Sequence, residues 1–264
     1  MSDTDPIARR FIAWRGLGHR ALIPYLTAGY PAPAQTVQLM HALADVGADI
    51  LELGIPFSDP VADGPTIQRS SQCALEHGVI PSDTFRMLEK FRRSNATPVV
   101  LFTYLNPLIR YGVDRFLTDA VAAGADGVLL IDLPAGADPA LEQLFEQSRL
   151  SFIRLVAPTT SPQRVREIAA HAQGFLYYVG RLGVTGARAA VRPETLQEVA
   201  AVRQSVALPV AVGFGVTTPQ HARELAAVAD GVIVGSALID ALDGGGVTAM
   251  ANLLSALRDA IDYA

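Results

Sequence analysis

Along this chain, short apolar runs alternate with longer stretches in which apolar residues return every three or four positions. Eight runs stand out: ALIPYLTAG (21–29), ILELG (50–54), TPVVLFTYLNP (97–107), GVLLID (127–132), LSFIRLVAP (150–158), GFLYYVG (174–180), LPVAVGFGV (208–216) and GVIVGS (231–236). Their β-branched, Leu and aromatic content, bounded by Gly, Pro or Asp, marks them as strands. Helical periodicity fills the intervals: TVQLMHALADVG, DTFRMLEKFRRS, VDRFLTDAVAAG, PALEQLFEQS, SPQRVREIAAHA, PETLQEVAAVRQS and PQHARELAAVA. Strands that alternate with helices pair in parallel through right-handed crossovers. Eight such units in 264 residues predict an α/β fold, a (β/α)8 TIM barrel forming a single domain over residues 1–264. The patterns DPIARRFIAWRG and IQRSSQCALEHG add extra helices at the N-terminus and after strand 2, and GVTAMANLLSALRDAIDYA supplies the last helix. One phrase recurs, a helix stop followed by an Asp and a strand: DVGADILELG (45–54), AAGADGVLLID (122–132) and AVADGVIVGS (227–236).

Half the residues are hydrophobic, enough for one sizeable core. The 26 acidic and 21 basic residues give a net charge of −5, and the densest basic stretch, FRRS, lies on an ordinary helix surface. A nucleic-acid partner, which needs a basic face, is excluded on this reading. A single cysteine, Cys73, permits no intrachain disulfide and fits a reducing compartment. MSDTDPIARRF lacks the apolar core of a signal peptide, and SVALPVAVGFGV is too short and too rich in Pro and Gly to span a bilayer. The expectation is a soluble cytoplasmic protein.

Period-two alternation sorts strand residues onto two faces. If the carboxylate face of strand 2 points inward, Ile50, Glu52 and Gly54 line the barrel and Leu51 and Leu53 meet the helices. The same alternation pairs Tyr25 with Thr27, Phe102 with Tyr104, Leu130 with Asp132 and Phe175 with Tyr177, with the polar member near the C-terminal end, where barrel enzymes build their sites. Glu52 has two readings here: a structural acid held by hydrogen bonds, or a catalytic one. Asp132 can equally cap the turn after its strand. Asp63, in SDPVADGP, is a turn former by itself, yet it leaves the same strand end as Glu52, so both carboxylates can face one cavity. Asp59 is nearer the loop tip.

The last three strands end in small residues, GVTGA (183–187), GFGV (213–216) and GSAL (235–238). Glycines let a ligand approach the backbone, and the free N–H groups of a helix start bind anions, so a phosphate site is predicted there. The lone lysine, Lys90, sits in a charged helix, which argues against a Schiff base. None of the five histidines falls on a strand end, no metal-ligand spacing occurs, and no P-loop or dinucleotide fingerprint is present. What remains is carboxylate proton transfer on a phosphorylated small molecule. Burial in an apolar strand should raise the pKa of Glu52 towards neutrality.

LELGIPFSDPVADGPTIQ, with IPYLTAGYP, TYLNPLIRYG, IDLP, GRLGVTGAR, GFGV and GSAL in the same order, resembles the tryptophan synthase alpha chain family over the whole chain. The resemblance implies a lyase that cleaves indole-3-glycerol phosphate into indole and glyceraldehyde 3-phosphate by a retro-aldol reaction, without metal or cofactor in this chain. By the same resemblance Glu52 shuttles protons and Asp63 holds the indole N–H. Phosphate contacts fall on Gly186, Gly215, Gly235 and Ser236, and Tyr25, Tyr177 and Phe214 line the substrate, Tyr25 standing where some members have Phe. It further implies closing loops at 56–65 and 181–190, communicating through Asp59 and Thr185, and a beta chain partner in an α2β2 heterotetramer, with pyridoxal phosphate only in that partner. Three alternatives stay open: the neighbouring ring-closing synthase, which would want a strand-end lysine; a free-standing indole-3-glycerol phosphate lyase; and a non-catalytic barrel that binds a phospholigand.

Overall fold

The structure is a computed structural model that describes residues 5–180, 191–213 and 215–262. Eight strands form it: β1 (Ala21–Thr27), β2 (Leu51–Gly54), β3 (Val99–Thr103), β4 (Gly127–Leu130), β5 (Ser151–Val156), β6 (Leu176–Val179), β7 (Val210–Gly213) and β8 (Gly231–Val234). Each pairs in parallel with the next, and β8 closes on β1, so the barrel has no open edge. Every predicted strand is present, in the predicted order.

Around the strands lie α1 (Pro6–Gly16), α2 (Thr36–Asp45), α3 (Pro65–Glu76), α4 (Pro81–Arg92), α5 (Leu105–Tyr111) and α6 (Val113–Ala122). They are followed by α7 (Pro139–Gln147), α8 (Pro162–Ala170), α9 (Pro193–Ser205), α10 (Pro219–Val228) and α11 (Ser236–Asp262). The extra helices expected at the N-terminus and after strand 2 are α1 and α3. Helix α5 was not anticipated: its seven residues are too few to display a period, and Pro107 sits inside it. Helix α11 is broken at Gly245 and Gly246, where the backbone leaves helical angles, so 236–244 form a separate short helix at the mouth of the barrel.

Two apolar clusters match the two strand faces. Ala21, Ile23, Ile50, Val100, Leu129, Ile153, Phe175, Ala211 and Ile233 fill the barrel, joined from below by Ile7 and Phe11 of α1. Leu51, Leu53, Leu101 and Val128 belong to the outer cluster against the helices. The inward assignment of Ile50 and the outward one of Leu51 and Leu53 therefore hold. The pairing of Leu130 with Asp132 needs correction: Leu130 lies in the outer cluster and Leu129 in the inner one. In that strand the inward parity falls on odd numbers, which a reading anchored on its terminal acid inverts.

Helix α1 is the stopper of the barrel floor. Asp5 caps it by accepting from the Ile7 and Ala8 N–H groups, and the same carboxylate accepts from Ser151 Oγ (2.7 Å) and Gly174 N (2.5 Å). Phe11 packs against Phe175 at 5.5 Å between ring centroids. Ile7 and Phe11 thus close the inner cluster at the N-terminal ends of the strands.

The recurring Asp of the three-part phrase does one structural job three times. Asp49 Oδ2 accepts from Leu22 N (2.8 Å) while Asp49 N donates to Leu22 O (2.9 Å). Asp126 forms the same reciprocal pair with Val99, and Asp230 with Val210. Each clip joins the start of one strand to the next. An arginine backs each carboxylate: Arg258 for Asp49, Arg92 for Asp126, and both Arg15 and Arg203 for Asp230. Charge-assisted bonds of this kind are roughly twice as strong as neutral ones.

Candidate active site

Glu52 sits on β2 between outward Leu51 and Leu53, in register with Tyr25 on one side and Val100 on the other. It is 1% exposed, and among the described residues neither carboxyl oxygen has a hydrogen-bond partner. That removes the first reading left by the sequence, an acid held in place by hydrogen bonds. Burial alone pushes its carboxyl up to about 8, because the charged form loses its water and gains nothing in return. At neutral pH the group is a protonated acid that can both give and recover a proton.

Asp63 lies on the loop between β2 and α3. Its carboxylate Oδ2 accepts from the Tyr104 hydroxyl at 3.0 Å, and its carbonyl accepts from Gln68 Nε2 at 2.9 Å. Burial pushes it up to about 6, against the Tyr104 hydrogen bond, which holds it down. The phenols of Tyr25 and Tyr177 are both raised, chiefly by burial, and both feel the charges of Glu52 and Asp63. Both carboxyls therefore lie near enough to these two tyrosines to act on them electrostatically.

Each tyrosine is accommodated by a glycine on the next strand. A Cβ on Gly54 would lie 2.2 Å from Tyr25 Oη, and one on Gly213 would lie 2.1 Å from Tyr177 Oη. The ring of Tyr25 meets Phe102 edge-on at 5.1 Å, and its hydroxyl reaches Thr27, which bonds Ser70 of α3 at 2.6 Å. Gly54→Ala is expected to force Tyr25 out of its rotamer and destabilise the fold by about 1–3 kcal/mol, measurable by urea unfolding. An alanine variant of unchanged midpoint would contradict the close contact.

At the other side of the mouth, Gly215 has φ +64 and open space where a side chain would stand. Gly235 precedes Ser236, the first residue of α11, whose opening turn leaves backbone N–H groups without intrahelical acceptors. Gly215, Gly235 and Ser236 thus occupy the ends of β7 and β8, as a phosphate cradle requires. Gly186, Phe214 and Thr185 lie outside the described residues, as does the whole 181–190 loop. Asp59 is exposed and accepts from Ser58 Oγ at 2.6 Å. Asp132 accepts from Leu105 N at 2.7 Å, at the start of α5 after β3, and not from the turn that follows its own strand. Tyr104, treated in the sequence only as a partner of Phe102 on one face, contacts Asp63 directly; an aromatic that meets a loop residue 41 positions away leaves no sequence signal.

A plugged (β/α)8 barrel with an unpartnered carboxyl in its mouth and a second on the adjoining loop belongs to the class of acid–base barrel enzymes. Residues 11–258 match the family model of the tryptophan synthase alpha chain. The tryptophan synthase alpha chain of Chromobacterium violaceum is 50% identical over 227 residues, 86% of this chain and 87% of that one. That of Burkholderia ambifaria is 43% identical over 98% of this chain and 97% of its own. The crystal structure of the alpha chain from Legionella pneumophila superposes with a TM-score of 0.89 at 41% identity, covering 97% of both chains. This chain belongs to the tryptophan synthase alpha chain family, lyases that cleave indole-3-glycerol phosphate, and the family implies a beta chain as partner.

Proposed function

We propose that Glu52 and Asp63 together perform the retro-aldol cleavage of indole-3-glycerol phosphate at this barrel mouth. The observation that carries the reading is the buried carboxyl of Glu52, unpartnered among the described residues, which burial pushes up to about 8. Glu52 delivers its proton to indole C3, which makes the ring an indolenine with positive charge on nitrogen. Asp63, ionised, accepts the indole N–H and stabilises that charge. The bond between C3 and the glycerol carbon then breaks, its electrons restoring the indole. The hydroxyl on that carbon becomes the aldehyde of glyceraldehyde 3-phosphate as its proton returns to Glu52, so the proton count closes. The backbone N–H groups at Gly215, Gly235 and Ser236 hold the phosphate, and Tyr25 and Tyr177 wall the indole.

This chain needs no metal or cofactor for that sequence of steps, and pyridoxal phosphate belongs to the partner. The complex is an α2β2 heterotetramer acting in the cytoplasm; no helix among the described residues is long and apolar enough to cross a membrane. The test is indole release from indole-3-glycerol phosphate by the purified chain, alone and with a beta chain added. Slow release that rises on addition supports the regulated subunit. Fast release unaffected by the partner means a free-standing lyase, and no release in either case returns the chain to a binding role.

The two carboxyls set the pH dependence. Asp63 must be charged, so activity climbs as pH rises through about 6; Glu52 must be protonated, so activity declines as pH rises through about 8. A bell-shaped profile of kcat/KM is the expected outcome. A profile still flat at pH 9.5 would remove Glu52 from the acid role.

A further inference from the structure

Asp63 offers two carboxylate oxygens, and only one is engaged: Oδ2 accepts from Tyr104 Oη at 3.0 Å, while no described group bonds Oδ1. Tyr104 is itself fixed on three sides. It follows the last residue of β3 and sits at the N-terminal boundary of α5. Its hydroxyl accepts from Ala62 N at 3.1 Å, one residue before Asp63, and its ring packs 5.1 Å from that of Phe57. Phe57 is in turn pinned at both backbone atoms by Ser71 Oγ of α3, at 2.8 Å and 3.0 Å. Thus one aromatic residue of the rigid barrel grips both ends of the loop that carries Asp63.

We infer that Tyr104 is a positioning residue for the cleavage: its hydroxyl holds Asp63 by one oxygen, in its charged form, and so reserves the other oxygen for the indole N–H of the substrate. This rests on the reading of Asp63 given above. The Ala62 N–H uses the phenol's acceptor side, which commits the phenol's own proton to Asp63. A donor fixed on a carboxylate favours its charged form, opposing the burial that pushes Asp63 towards protonation. Among the described residues, the other ionisable groups around Asp63 are Glu52 on β2, Tyr25 on β1 and Tyr177 on β6; Asp132, beyond β4, acts on Tyr104. At the pH where Asp63 titrates, Glu52 and the three phenols are neutral, so none of them supplies the charge that keeps Asp63 ionised. Tyr104 supplies the hydrogen bond that does.

The test is Tyr104→Phe, which keeps the ring against Phe57 and removes only the hydroxyl. The acid limb of kcat/KM is expected to move up by about one pH unit, from about 6, so that the loss of rate is about fivefold greater at pH 6 than at pH 8. Asp63 can also be titrated directly by carbon-13 NMR of its carboxyl carbon in a Glu52→Gln background, assigned by its disappearance in Asp63→Asn. That midpoint should rise in Tyr104→Phe, and it reads the contact even in a chain that never turns over. Biosynthetic replacement of tyrosine by 3-fluorotyrosine, a stronger donor of almost the same shape, should lower it. An equal loss of rate at all pH values with an unmoved Asp63 midpoint would reduce Tyr104 to packing and overturn the inference. An absent indole activity with a shifted midpoint would overturn the reaction assignment and leave the Tyr104 contact standing.

Discussion

Glu52→Gln is expected to lose at least about a hundredfold in indole release and, above pH 8, to be more stable than the native chain. Both effects come from one fact, the burial of an acid that nothing hydrogen-bonds. Gln fills nearly the same volume and carries no proton to give. For stability the sign follows from linkage. The folded carboxyl holds its proton up to about 8, whereas the unfolded one releases it near the ordinary value of about 4.5. The stability associated with protonated Glu52 is full below the unfolded value and is lost as pH rises towards the folded one. Gln is neutral throughout and loses nothing. The difference should grow from a small value at pH 4.5 to on the order of 4–5 kcal/mol at pH 8.5. Urea unfolding of both chains across that range, beside kcat at pH 7.5, measures the two effects together. A variant that keeps near-native rate, or one no more stable than the native chain at pH 8.5, contradicts the corresponding half of the argument.

The opposite pattern is expected at the barrel floor. Asp230→Ala should cost about 2–4 kcal/mol of stability while leaving kcat and KM of the surviving folded chain within about twofold. Its side chain is 3% exposed, and it receives the Val210 N–H and the guanidinium groups of Arg15 and Arg203 at once. Removing it orphans a strand N–H and leaves two cations facing each other. The partly exposed Arg15 and Arg203 can turn to water, which keeps the cost below that of a fully enclosed pair. Thermal unfolding and steady-state rates read the two quantities separately. A large rise in KM without loss of stability would mean that the floor and the mouth are coupled through the sheet. Asp230 and Glu52 thus mark opposite ends of the strands: one change costs stability and spares catalysis, the other does the reverse.

Much of this division was visible in the chain itself. Alternation placed Ile50, Glu52 and Gly54 on the inner face because β2 is flanked on both sides by unambiguous Leu residues that pack on helices. It failed at β4, where GVLLI is apolar at every position and only the terminal Asp132 was available to set the parity. The repeated Asp was conspicuous as a pattern, yet its clip geometry joins strands whose spacing along the chain varies, and no local rule describes it. The site was legible where it is built from one segment, as in the stretch from Glu52 to Asp63. It was not legible where two segments meet, as for Tyr104 and Asp63, because that contact depends on how far the loop folds back over β3.

The stopper helix sets an order of events during synthesis. Helix α1 leaves the ribosome well before its partners do: Asp5 accepts from Ser151 and from Gly174, the latter 169 residues later. Phe11 packs on Phe175, and Ile7 and Phe11 complete a cluster that runs to Ile233. At a translation rate of roughly 5–20 residues per second, the apolar face of α1 waits on the order of ten seconds or more for those partners. Closing so long a loop is also slow compared with forming the neighbouring strand pairs. Docking of α1 therefore belongs to the last stage of folding, and until then the nascent chain carries an exposed hydrophobic face for chaperones to bind.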